Sequence, residues 1–115
     1  MKRGIAALAG ALALTGSGVV AWSQATAATS VGVSMTEFKF RLSKSSVAKG
    51  SVTFKLVNRG SVTHDLKIAG KRSAEIRPGK SGTLKVTLKR PGRYRYICTL
   101  PGHAQAGMKG VLTVR

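Results

Sequence analysis

Beyond residue 30 the apolar residues fall on alternate positions in short runs, and each run ends at a turn. That period puts every second side chain on one face of an extended chain and identifies β-strands. Val31, Val33 and Met35 share one phase, while Phe38, Phe40 and Leu42 take the other. The phase therefore switches at Thr36-Glu37, which predicts a bulge or a break between two short strands. Val52, Phe54 and Leu56 line the next run, and "NRG" at 58–60 is turn material. Val62, His64, Leu66 and Ile68 form another apolar phase, then "RPGKSG" at 77–82 turns the chain. Leu84, Val86 and Leu88 follow, then "RPG" at 90–92, then Tyr94, Tyr96 and Cys98, and finally "GVLTV". No helical period stands out beyond the N-terminus, so the expected class is all-β, a sandwich or barrel. Lys39, Arg41, Lys55, Lys67, Lys85, Lys89, Arg93 and Arg95 interleave with the apolar positions and should face outward, while Met35 should pack in the core.

The N-terminus reads differently. Lys2 and Arg3 precede the apolar run Ile5–Leu14, and Ala25-Thr26-Ala27 fits a small-residue cleavage pattern. Thr15, Gly16, Ser17 and Gly18 interrupt the run well short of the ~20 residues a spanning helix needs. Residues 1–27 are thus read as a cleaved export signal and 28–115 as one domain; a retained anchor is the alternative. The destination is a periplasm, a cell surface or the medium. A domain this small buries a modest core, and such domains often carry a disulfide or a metal. With one cysteine there is no internal disulfide, which leaves an intermolecular bond, a free thiol or a metal ligand.

That cysteine, Cys98, lies in "YICTLPGHAQAGMKG" with His103 and Met108 at successive spacings of five. The other histidine, His64, shares the inward phase of Leu66 and Ile68. For an isolated inward histidine the ordinary reading is a core imidazole bonded to a carbonyl. Here only two histidines exist, and one stands beside the sole thiol and a thioether, so the combination favours a metal. Zinc seldom accepts methionine, and the paired C-x-x-C spacing of structural zinc sites is missing. Two imidazoles and a thiolate with a weak axial methionine describe a blue-copper electron-transfer site.

"VNRGSVTHDLKI" followed by "GRYRYICTLPGHAQAGMKGVLTV" resembles the small cupredoxins, the plastocyanin-like type 1 copper proteins, over about residues 31–115. The resemblance implies a Greek-key β-sandwich holding one copper per chain. It implies four metal ligands: His64 from before a turn, and Cys98, His103 and Met108 from the loop joining the last two strands. By the same carry-over, Cys98 is the strongest bond, His64 is buried, and Met108 is the axial ligand. His103 lies nearer the surface among Leu100, Pro101, Ala104 and Ala106, as the exit for the electron. Asp65 is expected either to accept a backbone N–H near Thr99, tying the ligand segments together behind the metal, or to be a plain turn carboxylate. The basic surface departs from the acidic docking surface of many plastocyanins.

The net charge is +17, or +15 without Lys2 and Arg3, and the only acids are Glu37, Asp65 and Glu75. This balance fits an acidic redox protein as partner, with contact to an anionic membrane surface also open. Nucleic acid is disfavoured, because the cations are spread along the chain and the few aromatics share inward phases. Multicopper oxidases and copper nitrite reductases need further histidines, and none is left, so the chain reads as a non-enzymatic, monomeric electron carrier. The rival within copper chemistry is a carrier or buffer of the metal.

Overall fold

The computed structural model describes residues 28–115; the expected export signal lies outside the described residues. Nine strands form two mixed sheets, with no helix among the described residues. In chain order they are β1 (Thr29–Thr36), β2 (Lys39–Leu42), β3 (Ser46–Val47), β4 (Gly50–Asn58), β5 (Lys67–Ile68), β6 (Lys71–Arg72), β7 (Ser81–Leu88), β8 (Gly92–Ile97) and β9 (Lys109–Val114). One sheet runs β2-β1-β4-β7 and the other β3-β9-β8-β5-β6. Within them β1 pairs parallel with β4, and β9 parallel with β3; the other ladders are antiparallel.

Alternation sorts the side chains as the sequence requires. Val31, Val33 and Met35 of β1, Val52, Phe54 and Leu56 of β4, and Leu84, Val86 and Leu88 of β7 are buried. They meet Ile68, Leu112 and Val114 from the other sheet, and Leu66 just before β5, in one core. Each such side chain contributes about 1.5–3 kcal/mol on leaving water. The named lysines and arginines are all exposed. The phase switch at Thr36-Glu37 is the turn between β1 and β2, which pair antiparallel from Thr36↔Lys39 to Val33↔Leu42. Tyr94 and Tyr96 are half-buried rather than enclosed, and the Tyr94 hydroxyl donates to the Arg90 carbonyl.

The run from Val62 to Ile68 departs from the expected strand. Only Lys67–Ile68 joins a ladder, and Val62 is 42% exposed. The cause lies at Asn58. Its buried amide donates to the carbonyls of Val62 (2.8 Å) and Ile76 (2.7 Å), and its Oδ1 accepts from Gly60 N (2.8 Å). This turns the chain sharply after β4. His64 then pairs through one bridge with Ile76 (His64 N to Ile76 O, 3.1 Å; Ile76 N to His64 O, 2.8 Å). The broken alternation lets consecutive residues His64, Asp65 and Leu66 all be buried, which a regular strand would forbid.

Candidate metal centre

The site lies where β8 ends and β9 begins, against the irregular segment 58–66. Cys98 directly follows β8, and Met108 directly precedes β9. Cys98 N donates to Met108 O (3.1 Å), which closes the loop between them at its base. Within the loop, His103 N donates to Leu100 O (3.1 Å), with Pro101 and Gly102 between. Gly102 has φ 81°. Proline at the second position and a positive-φ glycine at the third are the requirements of a type II turn. Met108 N donates back to His103 O (3.0 Å), which curls the remainder of the loop inward. The short sequence "LPGH" thereby returns His103 toward Cys98.

The donor atoms of His64, Cys98 and His103 all lie within 4.8 Å of one another. His64 Nδ1 and His103 Nδ1 are 3.3 Å apart, and Cys98 Sγ and His103 Nδ1 are 3.4 Å apart. Two nitrogen ligands held on one ion at bond lengths near 2 Å, with tetrahedral to trigonal angles, stand about 3.3–3.6 Å apart. The spacing of the imidazole nitrogens therefore fits a shared metal, and a thiolate with two imidazoles is a soft donor set. Cys98, His64 and Met108 are buried, while His103 is partly exposed. Burial pushes the Cys98 thiol up from its ordinary value, against the pull of the Asp65 and Leu100 backbone amides. A metal that takes the thiolate must therefore displace a proton.

Asp65 is fully buried, and its carboxylate accepts from Thr99 N (2.7 Å) and from the Thr99 hydroxyl (2.5 Å). The residue after His64 is thus bound to the residue after Cys98, bridging the two segments that carry the candidate donors.

Two neighbours of the site escaped the sequence reading. Phe38, in the β1–β2 turn, sets its ring edge-on to His103 at a centroid distance of 4.8 Å and to His64 at 6.4 Å. Phe38 is 39% exposed, so it forms the outer rim of the site. Glu37, the residue before it, accepts from His64 Nε2 at 2.6 Å. Its other oxygen accepts from the Ser61 amide and hydroxyl, both at 2.8 Å. The Ser61 amide, then His64, then the Ser61 hydroxyl hold the Glu37 carboxyl down at about 2. The one available signal was rarity: Glu37 is among only three acids and sits at the phase switch.

A cupredoxin-like domain model matches residues 4–114. Auracyanin-B of Chloroflexus aurantiacus is 52% identical over 42 residues, which are 36% of this chain and 18% of that protein. The copper-resistant cuproprotein CopI of Pseudomonas aeruginosa is 46% identical over 43 residues, 37% of this chain and 24% of that protein. The match thus spans under a quarter of the length of either relative. Among solved structures, the fold is shared with auracyanin A, a blue copper protein of Chloroflexus aurantiacus, at a TM-score of 0.66. That likeness covers 77% of this chain and 100% of the other at 21% identity. The family model spans nearly the whole sequence and the two-sheet fold agrees with it: the chain belongs to the cupredoxin-like domain family.

Proposed function

We propose that this chain is a type 1 copper protein that carries single electrons between redox partners. The observation that carries this is the convergence of His64 Nδ1, Cys98 Sγ and His103 Nδ1 beside the buried Met108. In this reading His64, Cys98 and His103 would be the strong ligands and Met108 a weak fourth one. Copper supplies the one-electron couple. The protein's part is to hold imidazole, thiolate and thioether in a fixed cage acceptable to both oxidation states, so that little moves on electron transfer. Asp65 and Thr99 keep the two ligand segments in register. His103, partly exposed beside Phe38, is the point where the electron leaves or enters.

The partner in this reading is a redox protein with an acidic surface. On the outer face of the five-stranded sheet, Arg72, Lys67, Ile97 and Lys109 stand in one register row across four strands, and Arg95 pairs with Val111 two ladder positions along, on the same face. Lys67 and Arg72 are directly opposite, an arrangement that costs free energy on its own. An acidic surface laid over the row offsets that cost, and the row adjoins Cys98 and Met108. Export, with residues 1–27 as the leader, belongs to the same proposal.

The test is to add Cu(II) to the purified protein and record its visible spectrum. One copper per chain with an intense blue thiolate charge-transfer band is expected, and Cys98→Ser should abolish the band while leaving the β-sheet circular dichroism intact. A colourless wild type, or a preference for zinc in competition, refutes the proposal. The kinship with a copper-resistance protein favours a second reading, a copper carrier or buffer. That reading requires rapid release of copper to an acceptor chelator, whereas an enclosed electron carrier should exchange electrons much faster than metal.

A further inference from the structure

We propose that Glu37 is a positioning residue for the metal, fixing the His64 ring from behind and biasing the site toward Cu(II). The inference rests on the type 1 copper reading and concerns residues that the ligand set leaves out. An ionised carboxylate can only accept, so the 2.6 Å contact puts the proton of the neutral His64 ring on Nε2 and leaves the Nδ1 lone pair facing Cys98 and His103. That is the tautomer a metal among these donors requires. A carboxylate behind a ligand imidazole also makes it a stronger donor.

The carboxylate is held in a built seat. Ser61 donates to it twice, from its amide and its hydroxyl. Gly60 leaves the space it fills, for a Cβ at position 60 would overlap the Glu37 carboxylate. The seat is formed by the turn after β4, and the acid comes from the turn between β1 and β2, 27 residues away in sequence from His64. A solvated surface glutamate has no need of this arrangement. The same β1–β2 turn sets Phe38 over His103, so one turn supports both imidazoles.

The redox consequence follows from charge. Reduction adds one electron to the copper, while Glu37 keeps its proton count and its negative charge. Cu(II) carries one more positive charge than Cu(I), so a fixed anion behind His64 favours Cu(II) and lowers the reduction potential. Loss of such a partner costs roughly 10–100-fold in metal affinity. If Cu(II) loses about tenfold more than Cu(I), the potential rises by about 59 mV for a one-electron couple.

The experiment compares wild type, E37Q, E37A and G60A as full chains, reading the visible spectrum, the reduction potential, and the His64 ring nitrogens by NMR in the copper-free protein. E37Q is nearly isosteric; it removes the charge and replaces one of the two accepting oxygens by an amide donor, so its remaining oxygen can serve either His64 or Ser61 but not both. G60A keeps Glu37 in the chain but displaces the end of its flexible side chain. All four should remain blue, with the potential of each variant raised by about the amount above. The His64 tautomer should be purely Nε2–H in wild type and mixed in E37A and G60A. Potentials unchanged in E37Q and G60A while the blue band persists would overturn the proposal, as would a wild-type His64 protonated on Nδ1. A colourless wild type instead refutes the copper reading. The NMR arm needs no copper and still decides whether Glu37 sets the ring.

Discussion

Replacing Asp65 by alanine should destabilise the copper-free protein severely for a change of one side chain. The carboxylate is fully buried and accepts two hydrogen bonds from Thr99, one from the backbone amide and one from the hydroxyl. Hydrogen bonds to a charged group contribute about 1.5–3 kcal/mol each. The cost of burying the ion offsets part of this, and truncation leaves the Thr99 amide without its partner. The expected loss is about 3 kcal/mol, a large share of the 5–15 kcal/mol typical of a whole domain. For a domain of this size it corresponds to a fall in Tm of roughly 12–24 °C. Asp65→Asn keeps one acceptor oxygen of the same shape and should lose about half as much. The assay is urea unfolding of copper-free protein followed by circular dichroism, with an unchanged m-value required for the comparison. A loss below about 1 kcal/mol for Asp65→Ala, or equal losses for the two variants, would refute the view that this carboxylate binds the ligand segments together.

Met108→Leu conserves volume and should cost under about 1.5 kcal/mol in stability, stay blue and raise the reduction potential; His64→Ala should lose copper altogether. Equal copper loss in the two, measured by metal analysis after dialysis, would refute the ranking of the ligands. Electron-transfer rates with an acidic haem protein, followed by stopped flow, should fall as ionic strength rises from 0.01 to 0.1 M, where the Debye length shrinks from about 30 to about 10 Å. Reversing Lys67, Arg72 and Lys109 together should slow that reaction far more than reversing any one, and salt-independent rates would refute the acidic-partner reading. In acid, Glu37 titrates at about 2 in the fold against an ordinary 4.5, so its contribution is complete above pH 4.5 and lost as pH falls toward 2. Copper-free wild type should therefore lose its Tm advantage over E37Q across that window, and parallel curves for the two would contradict the assignment.

The strands that pack the core were legible because each buries one face, and a period of two survives wherever the ladder is regular. β1, β4 and β7 are of this kind. The stretch from Val62 to Ile68 carried the same period and yet is mostly irregular, because Asn58, a single buried amide, redirects the backbone through side-chain bonds that leave no periodic trace. The ligand candidates were legible for a chemical reason: soft donors are so scarce in this chain that their gathering in one loop is conspicuous. Asp65 and Thr99 were within reach because each adjoins a candidate ligand. Glu37 and Phe38 were not, since they join the site only through the packing of the β1–β2 turn against a segment far along the chain. Phe38 in particular sat in an apolar phase that pointed to the core, but it lies in the turn that leads into the edge strand β2 and overhangs the site instead.

The two parallel ladders bear on how the chain reaches this structure. β1 must find β4 across the whole β2–β3 excursion, and Thr113 of β9 must find Ser46 near the other end of the domain. No local hairpin delivers either pairing, and chain entropy is spent before the contacts repay it. Folding belongs with the slow, non-local β topologies, in milliseconds to seconds. The β8–β9 hairpin, by contrast, is local and carries three of the four candidate donors, so it can form early. Segment 58–66, with His64, then docks onto a donor set that is already gathered. Metal added during refolding would meet a three-donor hairpin first and would couple the closing of its coordination to the final meeting of the two sheets.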